Sequence, residues 1–186
     1  LDETCLSLTE GQAVDLEFEK KNNIDLDMYM SMIKGKTASL IATSAELGVL
    51  VAGASAEQCM HYRDFGYALG IAYQVRDDFL GVWGKSSTTG KPTGDDLRAR
   101  KKTLPVILGL ERSDELRALY NQAPQSDAEL ETVITLLEET GVLEEVASIE
   151  LDKVEIALGK LSNACPKGTA GEALVSLTRQ LLGREH

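Results

Sequence analysis

The chain has 186 residues, 43% of them hydrophobic, and its 30 acidic against 19 basic side chains give a formal net charge of −11. That length suits one domain with a sizeable core. So acidic a chain does not fit a nucleic-acid partner or an anionic membrane surface, both of which call for basic side chains. The three cysteines, Cys5, Cys59 and Cys165, are widely spaced and form no CxxC or Cys/His pattern, which argues against zinc and for a reducing, cytoplasmic compartment. No signal-peptide pattern occurs. The most apolar stretch, 40–54, is interrupted by Thr43, Ser44 and Glu46, so no transmembrane segment is expected.

Apolar residues recur with helical spacing nearly everywhere, and no alternating strand pattern stands out. This predicts an all-α fold, one helical domain over 1–186. The helices are expected at about 1–21, 25–34, 36–52, 56–83, 103–111, 113–121, 127–139, 142–163 and 168–183. The chain begins with Leu1 rather than Met, and residues 1–19 already read as helix interior, so we expect further sequence upstream.

The first helix carries EGQAVD, 10–15, in which Gln12 and Asp15 lie one turn apart and share a face with Glu19. A solvated face explains this equally well. GKTASL, 35–40, puts Lys36 and Thr37 at an expected helix start, where anions are favoured. A Walker phosphate loop is rejected here, because its earlier glycine and preceding strand are absent.

The long helix ends in YQVRDDFLGVWG, 73–84, with adjacent acids Asp77 and Asp78. On a helical wheel, relative to Asp77, Gly66 falls at about −20°, Gly70 at about +20°, Gly81 at about +40° and Gln74 at about +60°. Asp78 lies about 100° away. Two readings of this face stay open. The glycines let another helix approach closely, or they line a cavity in which Asp77 holds a hard cation such as Mg²⁺. A polar loop follows over 84–96, rich in glycine, serine and threonine. Next, KPTGDDLRARKK, 91–102, concentrates Lys91, Arg98, Arg100, Lys101 and Lys102, five of the 19 basic residues. Metal-binding acids beside such cations suit a diphosphate; a salt-bridged surface loop is the plainer alternative.

In this order, EGQAVDLEFE, KTASL, FGYALGIAYQVRDDFLGVWG and TGKPTGDDLRARKKTLP resemble the trans-isoprenyl diphosphate synthases, the polyprenyl synthetase family. The likeness covers about residues 1–110. It implies an isoprenoid-synthase helical bundle around a deep cavity, usually a homodimer. It also implies Mg²⁺ as cofactor, and isopentenyl diphosphate and an allylic diphosphate as substrates. By resemblance, Asp77 is the main Mg²⁺ ligand of the second Asp-rich motif, Asp78 supports it, and Asp96 helps through water. Lys36, Lys91 and Lys101 match cations around the diphosphate, and Thr37 and Gln74 match polar groups near the reacting carbons. Gln12 and Asp15 match the cavity-lining helix.

Two features depart from the family pattern. The motif usually reads DDxxD, but here Gly81 replaces the last acid. The first Asp-rich motif is absent, which leads us to expect half a metal site and no chain elongation by these 186 residues alone. The rival expectations are a non-catalytic subunit of a heteromeric prenyl synthase, a class I terpene cyclase, and an unrelated helical interaction bundle.

Overall fold

The computed structural model describes residues 1–21, 23–85, 90, 92–124 and 126–182; they form helices and connecting turns, with no strand among them. The first helix, α1 (Asp2–Phe18), buries Thr4, Gly11 and Phe18, spaced by seven, so it presents one narrow line inward. Helix α2 (Leu26–Ile33) starts at Asp25, whose carboxylate accepts from Met28 N–H at 2.8 Å. It does not stop where expected. A π-helical turn, Lys34–Ala38, carries it into α3 (Ser39–Val51).

Helix α4 (Ala56–Trp83) is the central element. Ser55 and Gln58 form a capping box at its start, and from Phe65 onward it is buried on several sides. Helix α3 packs along one side of it and a later helix, α9 (Val142–Asn163), along another. Gly66 permits the α3 contact, and Gly70 permits the contact with the π turn. A Cβ at Gly70 would lie 2.5 Å from Ala38 Cα, and one at Gly66 would lie 2.7 Å from the Ile41 carbonyl oxygen. Of the two readings of the glycine face, close helix approach is therefore the observed one for these residues.

After α4 the chain turns at Gly94 (φ +70°) into a short helix, α5 (Asp95–Arg98), where the sequence predicts loop. Helix α6 (Leu104–Arg112) is buried from Leu104 to Gly109, and Pro105 marks its first turn. Helices α7 (Asp114–Leu119) and α8 (Asp127–Glu139) follow, each started by a serine that accepts from a backbone N–H. Gly141, with φ +72°, opens α9, and α10 (Gly168–Leu182) ends the described chain.

Tyr29, Ile33, Val75, Phe79, Leu104, Ile107 and Val146 join α2, α4, α6 and α9 in one apolar cluster. Val82, Leu97, Val106, Leu116, Tyr120 and Leu137 form a second beside it. Phe65, Leu69, Ala72, Ala157 and Leu161 form a third toward the start of α4. The second half of α4 is thus held from several directions, and the polar residues it carries are fixed with it. No helix among the described residues is long and apolar enough to cross a membrane.

Candidate active site

The π turn sets the first pair of side chains. A π turn shifts the register of a helix by about one residue and often marks functional positions. Here Ser39 N–H bonds to the Lys34 carbonyl, and Lys34 N–H bonds back to Met30 and Ser31. Lys36 therefore does not stand at a free helix N-terminus, and the expected anion site of that kind is absent. Instead, Lys36 Nζ meets Asp15 Oδ2 at 2.5 Å, with both side chains about one-third exposed. Gly11 and Gly35 make the contact possible, since a Cβ on Gly35 would lie 2.8 Å from the Ser7 carbonyl oxygen. Of the EGQAVD residues, Asp15 is thus drawn into the site region, while Gln12 is exposed on α1.

Thr37 and α4 supply the second set. The Thr37 hydroxyl donates to Gln74 Oε1 at 2.7 Å, and Gln74 Nε2 donates to Asp78 Oδ1 at 2.9 Å. Asp78 Oδ2 accepts from the Tyr29 hydroxyl and from Leu104 N–H, both at 2.8 Å. Asp78 is 4% exposed. Burial pushes its carboxyl up to about 6, although the three hydrogen bonds pull the other way. The Tyr29 phenol is held well above its usual range, first by burial and then by the charge of Asp78. Asp77, on the preceding position of the helix, is exposed.

The third set comes from α5 and the segment after it. The Asp96 carboxylate lies against Gly81, where a Cβ would overlap Oδ2 and fall 2.6 Å from Cγ. Lys101 Nζ donates to Asp96 Oδ1 at 2.5 Å. Partial burial works against the Lys101 ammonium. The hydrogen bond and charge of Asp96, followed by the charges of Asp77 and Asp95, outweigh it and raise the pKa. Asp77, Asp96 and Lys101 therefore share one electrostatic neighbourhood.

The basic cluster does not act as one patch. Arg98 pairs with Asp127 at the start of α8, and Lys102 lies over the Tyr120 ring, 5.0 Å from its centre. Lys101 alone of these is paired with a site carboxylate among the described residues, and Lys91 lies outside them. Two contributors were not anticipated, Tyr29 and the Leu104 N–H. Tyr29 is a buried aromatic of α2, and its local pattern does not set it apart from an ordinary core residue. Leu104 offers its N–H as the first residue of a helix, which Pro105 signals in the sequence.

The profile of the family described as Polyprenyl synthetase matches residues 1–137. Over 187 aligned residues the chain is 34% identical to the short chain isoprenyl diphosphate synthase of Methanothermobacter thermautotrophicus, covering 99% of this chain and 57% of that protein. It is 36% identical over 193 residues to a geranylgeranyl diphosphate synthase of Mycobacterium tuberculosis, covering 100% of this chain and 53% of the relative. A similar solved structure is geranylgeranyl pyrophosphate synthase from Corynebacterium glutamicum complexed with isoprenyl diphosphate and magnesium. The TM-score is 0.87 and the identity 29%, over 96% of this chain and 52% of that one. The chain thus spans a little over half the length of these relatives. The ordered motifs, the all-α isoprenoid-synthase bundle and these matches together establish that the chain belongs to the polyprenyl synthetase family.

Proposed function

We propose that this chain supplies the diphosphate-binding half of a prenyltransferase site, at which an allylic diphosphate is lengthened with isopentenyl diphosphate. The observation that carries the reading is that the Asp96–Lys101 pair lies over Gly81 on α4, one turn beyond Asp77, while Gln74, one turn before Asp77, is bonded to Thr37; Lys36, beside Thr37, adds a second cation. In the reaction, the carbon–oxygen bond to diphosphate breaks. A carbon–carbon bond then forms to the isopentenyl double bond, and a proton is lost.

The donor set fits Mg²⁺. This ion commonly takes one or two carboxylates from protein and the rest of its shell from water and phosphate oxygens. Asp77 offers an exposed carboxylate, and Asp96 sets a second over Gly81, one turn further along the helix. Among the described residues, no group of three or more His, Cys, Asp or Glu side chains is placed to hold a metal. When bound, the ion would neutralise diphosphate charge and ease its departure. Lys36 and Lys101 would exchange part of their hold on Asp15 and Asp96 for phosphate oxygens. Thr37 and Gln74 would face the carbon skeleton with oxygen lone pairs, which favour developing positive charge.

With half the length of its relatives, the chain is expected to bind Mg²⁺–diphosphate without elongating a prenyl chain alone. We also expect a homodimer, read from sedimentation. The deciding measurement is calorimetric titration of inorganic diphosphate in the presence of Mg²⁺. We expect binding by the wild type and at least a tenfold loss, about 1.4 kcal/mol, in Asp77→Ala. Equal affinity in the two proteins, or none in the wild type, would defeat the proposal.

A further inference from the structure

We infer that Asp78 is a positioning residue: it fixes which end of the Gln74 carboxamide faces Thr37, and it does not hold the metal. The inference rests on the proposed function only for what Thr37 and Gln74 do toward substrate.

A carboxylate accepts hydrogen bonds and donates none. Asp78 takes three, from Tyr29 and Leu104 on one oxygen and from Gln74 on the other. These donors belong to α2, the start of α6 and α4 itself. Both of its oxygens are thus engaged by donors inside the protein, which leaves neither for a hydrated cation. Its neighbour Asp77 is exposed. Two adjacent acids on one helix thus point in different directions, about 100° apart, and do different work.

The consequence passes along the chain of bonds. Because Asp78 only accepts, Gln74 must turn its NH₂ end toward it. The Gln74 carbonyl oxygen is then committed to the Thr37 side. Facing an oxygen, the Thr37 hydroxyl spends its one proton on Gln74, at 2.7 Å. Its remaining hydrogen-bonding capacity is lone pairs alone. Such a surface attracts a cationic carbon and does not attract phosphate oxygens. The buried carboxylate thereby sets the polarity of two residues that stand between it and the site, so the diphosphate is steered toward Lys36 and Lys101.

The substitution Asp78→Asn reverses this logic. The introduced carboxamide oxygen still serves Tyr29 and Leu104, but its NH₂ faces the NH₂ of Gln74. The Gln74 carboxamide must then flip and present N–H to Thr37. Adding Gln74→Glu restores an acceptor toward both neighbours, since the introduced amide and the Thr37 hydroxyl can then each donate to one carboxylate.

The test combines three readouts on the 186-residue chain. In wild type, side-chain amide NMR should show one Gln74 carboxamide hydrogen exchanging at least about tenfold more slowly than the other, held by Asp78. Asp78→Asn should weaken that asymmetry, because the flipped carboxamide is then held by the Thr37 hydroxyl instead of a carboxylate, and should lower Tm, because the Thr37 proton loses its acceptor; the added Gln74→Glu should recover most of the Tm loss. Mg²⁺–diphosphate titration should fall far less in Asp78→Asn than in Asp77→Asn. Equal, fast exchange of both Gln74 hydrogens would overturn the inference, and this readout needs no variant that might fail to fold. So would an Asp78→Asn protein with wild-type Tm and a binding loss matching Asp77→Asn. If wild type binds no Mg²⁺–diphosphate, the functional proposal fails, while the Gln74 exchange and the Tm rescue still decide the role of Asp78.

Discussion

At position 81, where related motifs carry an acid, a side chain has nowhere to go while Asp96 stays in place. A Cβ would lie 2.6 Å from Asp96 Cγ and 3.2 Å from its Cβ. The obstacle is a side chain, but not a loose one, because Asp96 is 6% exposed and bound to Lys101. Gly81→Ala should therefore destabilise the protein by about 1–3 kcal/mol through overpacking. Asp96→Ala removes the obstacle, so the double variant should be less damaged than the sum of the two singles by about 1 kcal/mol or more. Urea unfolding of the four proteins closes that cycle; strict additivity would show that Asp96 does not occupy the space. The wheel brings Gly81 to the Asp77 side, and the sequence alone made the missing carboxylate visible. It could not show that a residue beyond a polar loop returns to the gap, because the path of a loop is set by tertiary packing rather than by local pattern. The inward turn of Asp78 was equally hidden, since adjacent acids look alike until their donors, Tyr29 and Leu104, are known.

Among the elements, α4 was the most legible, and its boundaries at 56 and 83 agree with the expected ones. Ser55 and Gln58 announce its start, and a long apolar periodicity carries it. The π turn was not legible. It has no composition of its own, and Gly35 next to Lys36 reads naturally as a helix boundary. The α4–α9 contact carries a further feature that the pattern did not reveal. Arg76 Nη1 bonds Glu150 at 2.9 Å and 3.2 Å, with both side chains under one-tenth exposed. Desolvating two charges offsets most of the attraction between them, so the pair adds little stability while either partner alone is costly. Arg76→Met should lose about 3–5 kcal/mol, because Glu150 is left buried without its cation. Arg76→Met with Glu150→Leu should return close to wild type, helped by the removal of Arg76 Nε, which has no partner among the described residues. If the double variant is as unstable as the single in a urea titration, the pair contributes net stability and the α4–α9 contact depends on its charges.

Across the whole molecule, two apolar clusters are each tied to the site by a tyrosine. Tyr29 in the first donates to Asp78 at 2.8 Å, and Tyr120 in the second donates to the Lys101 carbonyl at 3.0 Å. Both are almost fully buried, and both phenols are raised above the usual tyrosine range. For Tyr29 the causes are burial and then Asp78; for Tyr120 they are burial and then Asp96, with Arg100 opposing. The sign for stability follows from proton binding. A phenol with a raised folded pKa keeps its proton in the native state after the unfolded chain has released it. Stability is therefore intact below the ordinary tyrosine pKa of about 10 and falls above it, by about 1.4 kcal/mol per pH unit for each such group. Lys101, also raised, pushes in the same direction over the same range. A chain already at −11 gains further self-repulsion as its lysines discharge. Alkaline titration should thus show the Tyr29 and Tyr120 phenols failing to ionise in the native state. Their phenolate absorbance should appear only together with cooperative loss of helical circular dichroism. Tyr120→Phe, which keeps the ring and removes the titrating group, should flatten the fall of stability by about 1.4 kcal/mol per pH unit above pH 10. Ionisation of all five tyrosines near pH 10 with helicity intact would mean that neither phenol is sealed in its cluster.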